Sequence, residues 1–209
     1  MLADQSLREL LAAFASTSPT PAGGSASALA SAVGVSLLIM AASMVRSRTG
    51  SADERAALSM ARDALVSLQQ ELTVAVDRDH EAYRQLMSAR RPSENSQLSH
   101  DEVDGAKQRA FRRATDVPLE VMRMSFRALQ QALTVAAYCH RPASSDVRVG
   151  IALIRAGFAG ARSSAQDNLA GMADGAYVQA ARAEIEQLSL AAGSAADTAE
   201  RALLEPSRE

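Results

Sequence analysis

The sequence predicts an all-α fold, a single-domain helical bundle with long, partly kinked helices. Its 209 residues are 47% hydrophobic but only 3% aromatic, and tryptophan is absent. A core of alanine, leucine, valine and methionine suits closely packed helices, whereas sheets favour β-branched and aromatic residues. Leucines recur at seven-residue steps in the middle of the chain, which is the period of a helical seam. No segment has the strict polar–apolar alternation that a half-buried strand would show.

Composition also limits the partners and the compartment. The net charge is -2 and no long basic block occurs, so we expect no nucleic-acid partner. Cys139 is the only cysteine, which excludes an internal disulfide and favours a reducing, cytoplasmic location. The three histidines lie far apart and Cys139 has no cysteine at zinc spacing, so we expect no metal site. We expect one domain over residues 1–209, with a frayed tail at 205–209.

The first third of the chain predicts a short helix, a loop and a long apolar helix. Residues 6–15 place apolar side chains at three- and four-residue steps; these are Leu7, Leu10, Leu11 and Phe14. The loop reads Pro-Thr-Pro-Ala-Gly-Gly-Ser at 19–25, and Ser25 is the expected N-cap of the next helix. Residues 25–45 carry no charge and could cross a bilayer by length. Their many alanines, serines and glycines instead favour a helix buried in a soluble bundle or dimer, with no membrane partner.

Two long helices are predicted next. Ser51 and Glu54 have capping-box spacing and open a helix with a heptad-like seam. The seam consists of Leu58, Ala61, Leu65, Leu68, Leu72, Ala75, Ala82 and Leu86. Ser99 and Glu102 repeat the spacing and open the following helix, which we expect Pro118 to kink or break. Its apolar rows are Leu119, Phe126 and Leu133, and Met122, Leu129 and Ala136.

The last third predicts two more helices. Ser144, Ser145 and Asp146 are N-cap candidates for the first of them. Its apolar rows contain Val147, Ile151, Ile154, Phe158, Ala161, Ala165 and Met172, with Asn168 as a polar member. The final helix, at about 176–204, turns Val178, Ala181, Ile185 and Leu188 inward.

Asp79 is the strongest chemical signal because it occupies a seam position where a hydrophobe belongs. A carboxylate there is unfavourable unless it is paired or protonated, and burial would raise its pKa toward the range useful for proton transfer. A structural partnership with a loop amide or an arginine explains the position equally well. Its neighbours Asp77 and His80 point to other faces, and we expect both to be solvated.

Other polar residues have both functional and structural explanations. Gly23 and Gly24 allow a ligand to approach the free amides of a helix N-terminus, although an ordinary interhelical loop has the same composition. Asn168 either orients a polar ligand or fixes helix register. The Thr115 hydroxyl can bond the carbonyl one turn back, and Asp146 can be a simple N-cap. His140 is expected at a helix C-terminus.

Taken together, these motifs resemble the cyclodeaminase/cyclohydrolase family. That family includes the cyclodeaminase half of formiminotransferase-cyclodeaminase and stand-alone bacterial methenyltetrahydrofolate cyclohydrolases. The resemblance covers nearly the whole chain, in family-like order and intervals. Five motifs carry it: Pro-Ala-Gly-Gly-Ser at 21–25, Asp-His-Glu-Ala-Tyr at 79–83, Ala-Thr-Asp-Val-Pro-Leu at 114–119, Ser-Asp-Val at 145–147 and Asn-Leu at 168–169.

The resemblance implies an all-α homodimer, formed through its helices, that makes or hydrolyses 5,10-methenyltetrahydrofolate. The activity would be that of a formimidoyltetrahydrofolate cyclodeaminase or a methenyltetrahydrofolate cyclohydrolase. Both reactions pass through a tetrahedral carbon and need a proton shuttle, for which Asp79 is the candidate. The implied substrate-binding residues are Gly23, Gly24, Ser25, Thr115, Asp146, Ser164 and Asn168. A tetrahydrofolate derivative is the substrate, and no tightly bound cofactor is implied.

The chain also departs from the family pattern. Ala22 stands where glycine is usual, Arg141 and Pro142 where Gly-Asn is common, and Ser164 where asparagine is frequent. Val45 lies near a usual threonine. The departures support a second hypothesis, a catalytically silent helical dimer that binds a folate-like or anionic ligand or a protein partner. The sequence does not choose between the two reactions.

Overall fold

The computed structural model describes residues 1–44, 50–90 and 99–204, which form six α-helices and no strand. The all-α prediction is therefore confirmed. The helices are α1 (Leu7–Phe14), α2 (Gly23–Ser43), α3 (Ala52–Arg90), α4 (His100–Tyr138), α5 (Ser144–Leu169) and α6 (Gly175–Ala202). Short 3-10 turns occupy Leu2–Asp4 and Arg141–Ala143.

Helices α2 to α5 form the central bundle, with α2 packed between α3 and α5. Ser25 contacts Asp79 and Ser36 contacts Gln69, so α2 and α3 run antiparallel. Helix α4 closes the bundle against α3 and α5, and α6 packs on its outer side. This arrangement brings the start of α2, the second half of α3, the middle of α4 and the end of α5 to one end of the molecule.

Small residues let α2 and α5 approach closely. A Cβ on Gly157 would lie 2.1 Å from the Ser31 hydroxyl, and one on Gly34 would lie 2.6 Å from the Gly150 carbonyl oxygen. Helix α2 has the length and apolar composition of a membrane span. In the bundle it instead buries eleven of its residues against neighbouring helices.

The heptad-like seam of α3 is confirmed, because all eight of its predicted members are buried. Both predicted capping boxes also form. The Ser51 amide donates to Glu54 while the Glu54 amide donates to the Ser51 hydroxyl. Ser99 and Glu102 make the same reciprocal pair at the start of α4. Two reciprocal bonds satisfy amides that a helix start otherwise leaves free.

Several local predictions are wrong. Of the two outcomes predicted for Pro118, a kink or a break, the break is wrong, because helix α4 continues through this residue. Leu7 and Leu11 are 69% and 57% exposed because only one face of the short α1 touches the bundle. Leu133 is likewise 40% exposed. His140 does not end α4, which stops at Tyr138, but precedes the 3-10 turn that leads into α5.

Helix α2 begins at Gly23 rather than at residue 25, and it ends at Ser43. The predicted frayed tail falls on residues 205–209. Those residues, and Val45, lie outside the described part of the chain.

Candidate active site

Asp79 reaches from α3 to the start of α2, where Gly24 and Ser25 hold its carboxyl group. The Ser25 hydroxyl donates a 2.9 Å hydrogen bond to Asp79 Oδ2. A Cβ added to Gly24 would lie only 2.0 Å from Asp79 Oδ1. Because Gly24 has no positive φ, the glycine is required by the close approach of the carboxyl and not by its backbone conformation.

The prediction of Ser25 as an N-cap is wrong. The N-cap is Ala22, which makes no side-chain capping bond, and Ser25 is the third residue of α2. Ser25 is fully buried and its hydroxyl points to α3 instead of to its own helix. A carboxylate at a helix N-terminus is favourable because the free amides and the helix dipole are positive there. Asp79 therefore stabilises the start of α2 from a different helix.

Ala22 accommodates the departure from the family glycine without strain. Its backbone angles, φ -133° and ψ -162°, are extended, and any residue adopts them. Among the described residues the backbone amides of Gly23 and Gly24 have no hydrogen-bond partner. Two donors therefore remain at the helix start for a polar or anionic ligand.

Burial raises the pKa of the Asp79 carboxyl above its ordinary value. Hydrogen bonds from the Ser25 hydroxyl and backbone amide, and the nearby His80, act in the opposite direction and lower that pKa. The net direction is upward because desolvation of the charged form is the largest contribution. Such a carboxyl exchanges a proton at higher pH than a solvated aspartate does.

Ser164 and the loop before α2 border the same site. A Cβ on Gly23 would lie 4.0 Å from the Ser164 hydroxyl, so this side chain of α5 faces the start of α2. Thr20 shares a 2.8 Å hydrogen bond with His80 Nδ1, and the Thr20–Pro21 peptide bond that follows is cis. The loop is thus attached to α3 next to Asp79.

The expectation that Asp77 and His80 are solvated is wrong. His80 is partly buried against Thr20. Asp77 Oδ1 accepts a hydrogen bond from the Leu2 amide, and Asp77 Oδ2 is buried with no hydrogen-bond partner among the described residues. The sequence gives no signal for either contact, since the partners lie 60 and 75 residues away.

Thr115 and Asn168 lie at the same end of the bundle and are bonded to α4. Thr115 is fully buried, and its hydroxyl donates a 2.9 Å hydrogen bond to the Phe111 carbonyl, one turn back in the same helix. This is the structural explanation predicted for Thr115. Asn168 Nδ2 donates to the Ala114 carbonyl at 2.7 Å. The Thr115 hydroxyl and one of the two amide hydrogens of Asn168 therefore already make hydrogen bonds within the fold.

Asp146 is not brought to this site. It lies in the first turn of α5, beside the turn that contains Arg141 and Pro142. Eighteen residues of helix separate it from Ser164, or about 27 Å at 1.5 Å per residue. Asp146 is also not the N-cap, which is Ala143. Within one chain, the Arg141 and Pro142 departures therefore lie far from Asp79.

Other features of the surface do not coincide with Asp79. Among the described side chains, no group of three or more His, Cys, Asp and Glu residues could hold a metal ion. A groove of about 520 Å³ lies between α5 and α6, lined in part by Arg162, Gln166 and Arg182. It lies on the face of α5 that points away from Ser164. We place the candidate site by its chemistry, at Asp79.

The fold and the site define a class of protein: an all-helical bundle that presents a partly buried carboxyl beside free helix amides, suited to proton transfer on a polar ligand. A family model for formiminotransferase-cyclodeaminase matches residues 6–187. The chain therefore belongs to the formiminotransferase-cyclodeaminase family.

Two known proteins are similar to the chain over nearly its whole length. The methenyltetrahydrofolate cyclohydrolase of Methylorubrum extorquens is 30% identical over 201 residues, which cover 93% of each chain. The crystal structure of formiminotetrahydrofolate cyclodeaminase from Thermotoga maritima matches with a TM-score of 0.87 at 22% identity, covering 98% of each chain. The second similarity demonstrates the shared fold.

Proposed function

We propose that the protein is a folate one-carbon enzyme that forms or hydrolyses 5,10-methenyltetrahydrofolate. The observation that supports this most directly is the carboxyl of Asp79, partly buried at the start of α2, in a chain of the formiminotransferase-cyclodeaminase family. The two relatives carry the names of the two reactions, a cyclohydrolase and a cyclodeaminase.

Both reactions need the same proton transfers. In the cyclodeaminase reaction the anilinic nitrogen of tetrahydrofolate attacks the formimino carbon, and ammonia leaves to give the methenyl bridge. In the cyclohydrolase reaction water attacks that bridge carbon, and one carbon–nitrogen bond breaks to give the formyl compound. Each tetrahedral intermediate collapses only when a nitrogen or an oxygen gains or loses a proton. Asp79 is the group that we assign to this transfer.

The glycine loop supplies binding and not chemistry. The free amides of Gly23 and Gly24 would donate to a polar part of the folate, and Ser164 offers a hydroxyl on the opposite wall. Ser25 acts through Asp79, because its hydroxyl is buried against that carboxyl. Ser164, which replaces the family asparagine, is thus a departure whose side chain faces this site.

We further propose a cytoplasmic homodimer formed through α2. That helix carries no charged residue, yet Val33, Met40 and Met44 remain exposed along it. On α5, which packs against α2, Val149 is 51% exposed. A charge-free apolar surface of this kind is typical of a subunit interface.

Incubation with each substrate separately tests the function. Purified protein is mixed with methenyltetrahydrofolate or with formiminotetrahydrofolate, and the methenyl absorbance is followed against a buffer control. Loss of absorbance with the first compound identifies a cyclohydrolase, and a gain with the second identifies a cyclodeaminase. Buffer-level rates with both would contradict the proposal and favour the silent helical dimer.

A further inference from the structure

Pro118 leaves one carbonyl group of α4 without its usual partner. In an α-helix each carbonyl accepts a hydrogen bond from the amide four residues later, and proline has no amide hydrogen. The carbonyl released by Pro118 is that of Ala114, a buried residue in the middle of a 39-residue helix. A buried carbonyl without a donor is destabilising because it has lost its bond to water.

Asn168 supplies the missing donor from α5. Its Nδ2 lies 2.7 Å from the Ala114 oxygen, which is a short and well-formed amide–carbonyl bond. This bond also fixes the orientation of the amide, since Nδ2 must face a carbonyl. The acceptor Oδ1 and the second N–H of Nδ2 therefore remain available to a ligand.

The same bond attaches the last turn of α5 to the bundle beside the candidate site. Ser164 precedes Asn168 by one helical turn and faces Gly23. Gly24 and Ser25, which follow Gly23, contact the Asp79 carboxyl. A shift of the end of α5 would therefore change the wall opposite the free amides of α2.

We infer that Asn168 is a positioning residue that replaces the backbone donor missing at Pro118. Through this bond it keeps α4 continuous across the proline and holds Ser164 against the start of α2. The inference concerns how the proposed active site is built, so its catalytic part rests on the proposed function. Its structural part does not.

A double-mutant cycle between Asn168→Ala and Pro118→Ala tests the inference, because Pro118→Ala restores the amide hydrogen that Ala114 lacks. In the wild-type background we expect Asn168→Ala to raise the unfolding equilibrium constant about tenfold, which lowers the free energy of unfolding by about 1.4 kcal/mol. In the Pro118→Ala background the same substitution should change the unfolding equilibrium constant by less than about threefold, since the Ala114 carbonyl then has a backbone donor. Chemical denaturation of the four proteins gives both values without any substrate.

Gln108 provides a matched control. It also joins α4 to the end of α5, donating to the Gly171 carbonyl and accepting from the Ala173 amide. Neither bond involves the carbonyl released by Pro118. Gln108→Ala should therefore lower stability equally in both backgrounds.

Two further readouts test positioning. For Asn168→Ala we expect kcat/KM to fall about tenfold, and amide hydrogen exchange at the start of α2 to rise. The Asn168–Ala114 bond is also missing from the double variant, so both effects should persist, within about threefold, when Asn168→Ala is made in the Pro118→Ala background. Exchange needs no turnover, so the positioning role can be read even if neither folate is converted.

Two results would overturn the inference. Equal destabilisation by Asn168→Ala in both backgrounds would mean that the asparagine does not replace the missing donor. A fall in kcat/KM with no rise in amide exchange at the start of α2 would mean that Asn168 touches the substrate and does not act through the end of α5. Failure of the proposed function is recognised separately, as inactivity of the wild-type protein with both folates.

Discussion

At the residue scale, Asp79 has a structural role at the start of α2 in addition to the proton transfer proposed for it. Its carboxyl accepts a hydrogen bond from the Ser25 hydroxyl at the start of α2. This contact, made from α3, stabilises the start of α2. Burial keeps its pKa above the ordinary value, so the carboxyl can exchange a proton near neutral pH more readily than a solvated aspartate. A structural partnership and a proposed role in proton transfer are thus compatible with the same position of Asp79.

Gly24→Ala should disable the site while leaving the fold intact. The new Cβ would lie 2.0 Å from Asp79 Oδ1, so the carboxyl must move. Displacing a reacting group by about 1 Å costs about 100-fold in rate. Steady-state kinetics and a thermal melt of the purified variant measure the two effects.

Gly23→Ala is the matched control, because its Cβ would meet only the Ser164 hydroxyl at 4.0 Å, an ordinary contact. It should retain activity within a few-fold. Equal activity losses in the two variants would show that the glycines matter as a loop and not through contact with Asp79.

Ser25→Ala should move the pH midpoint of activity upward. The Ser25 hydrogen bonds favour the charged carboxylate and so lower the Asp79 pKa. Without the hydroxyl, Asp79 holds its proton to higher pH, whichever protonation state is the active one. A pH–rate profile measures the midpoint.

Ser27→Ala is the control for that profile, since the Ser27 hydroxyl bonds the Gly23 carbonyl and not Asp79. Its midpoint should match that of the wild type. If the pH midpoint of activity in Ser25→Ala is unchanged or lower than in the wild type, Asp79 is not the titrating group.

At the scale of helices, the register of α2 against α5 is set by residues with little or no side chain. Gly157 faces Ser31, Gly160 faces Ser27 and Gly34 faces Gly150. Close helix approach increases the number of van der Waals contacts per residue. This antiparallel register places Ser164 at the Asp79 end and Asp146 at the other.

Gly157→Ala should destabilise the bundle by about 1–3 kcal/mol, the range for overpacking a tight contact. The added Cβ would lie 2.1 Å from Ser31 Oγ and 2.5 Å from the Ser27 carbonyl oxygen. Gly193→Ala in α6 is the control, because nothing lies within 4 Å of its Cβ. That change should be neutral or stabilising by up to about 1 kcal/mol. Urea denaturation compares the two, and similar stabilities would contradict the packing account.

Sequence patterns predicted the helices well because their signals are local. The capping boxes at Ser51 and Ser99 and the leucine seam of α3 each depend on residues within one helix. Ser25 was misassigned because the acceptor that organises the start of α2 comes from Asp79, 54 residues away. The predicted break at Pro118 does not occur, and the donor that compensates for the proline, Asn168, also lies far along the chain, where no local pattern reveals it.

At the scale of the whole molecule, four helices contribute to one end of the bundle. The motifs containing Gly24, Asp79, Thr115 and Asn168 meet there, although more than 140 residues separate the first from the last. Asp146 does not join them within one chain. The sequence shows which motifs are present and in what order. Which of them meet in space depends on the register between helices, and no local pattern encodes that register.

Light scattering tests the predicted homodimer. The chain mass is 22.0 kDa, and we expect a particle of twice that mass at micromolar concentration. Val33→Glu should produce monomers, because it places a charge on the apolar face of α2. Leu190→Glu, on the exposed surface of α6, should leave the dimer intact. A monodisperse wild-type monomer would contradict the assignment of this face.

The most direct test of the account is the turnover of Asp79→Asn on whichever folate the wild type converts. Asparagine keeps the size and a hydrogen-bond acceptor for Ser25 but cannot exchange the proton. We expect kcat to fall by about two to four orders of magnitude, with an unchanged circular dichroism spectrum and a melting temperature near that of the wild type. Asp77→Asn, two residues earlier on α3, should remain within a few-fold. If Asp79→Asn also retains activity within a few-fold of wild type, Asp79 is a structural residue and the proposed proton transfer is wrong.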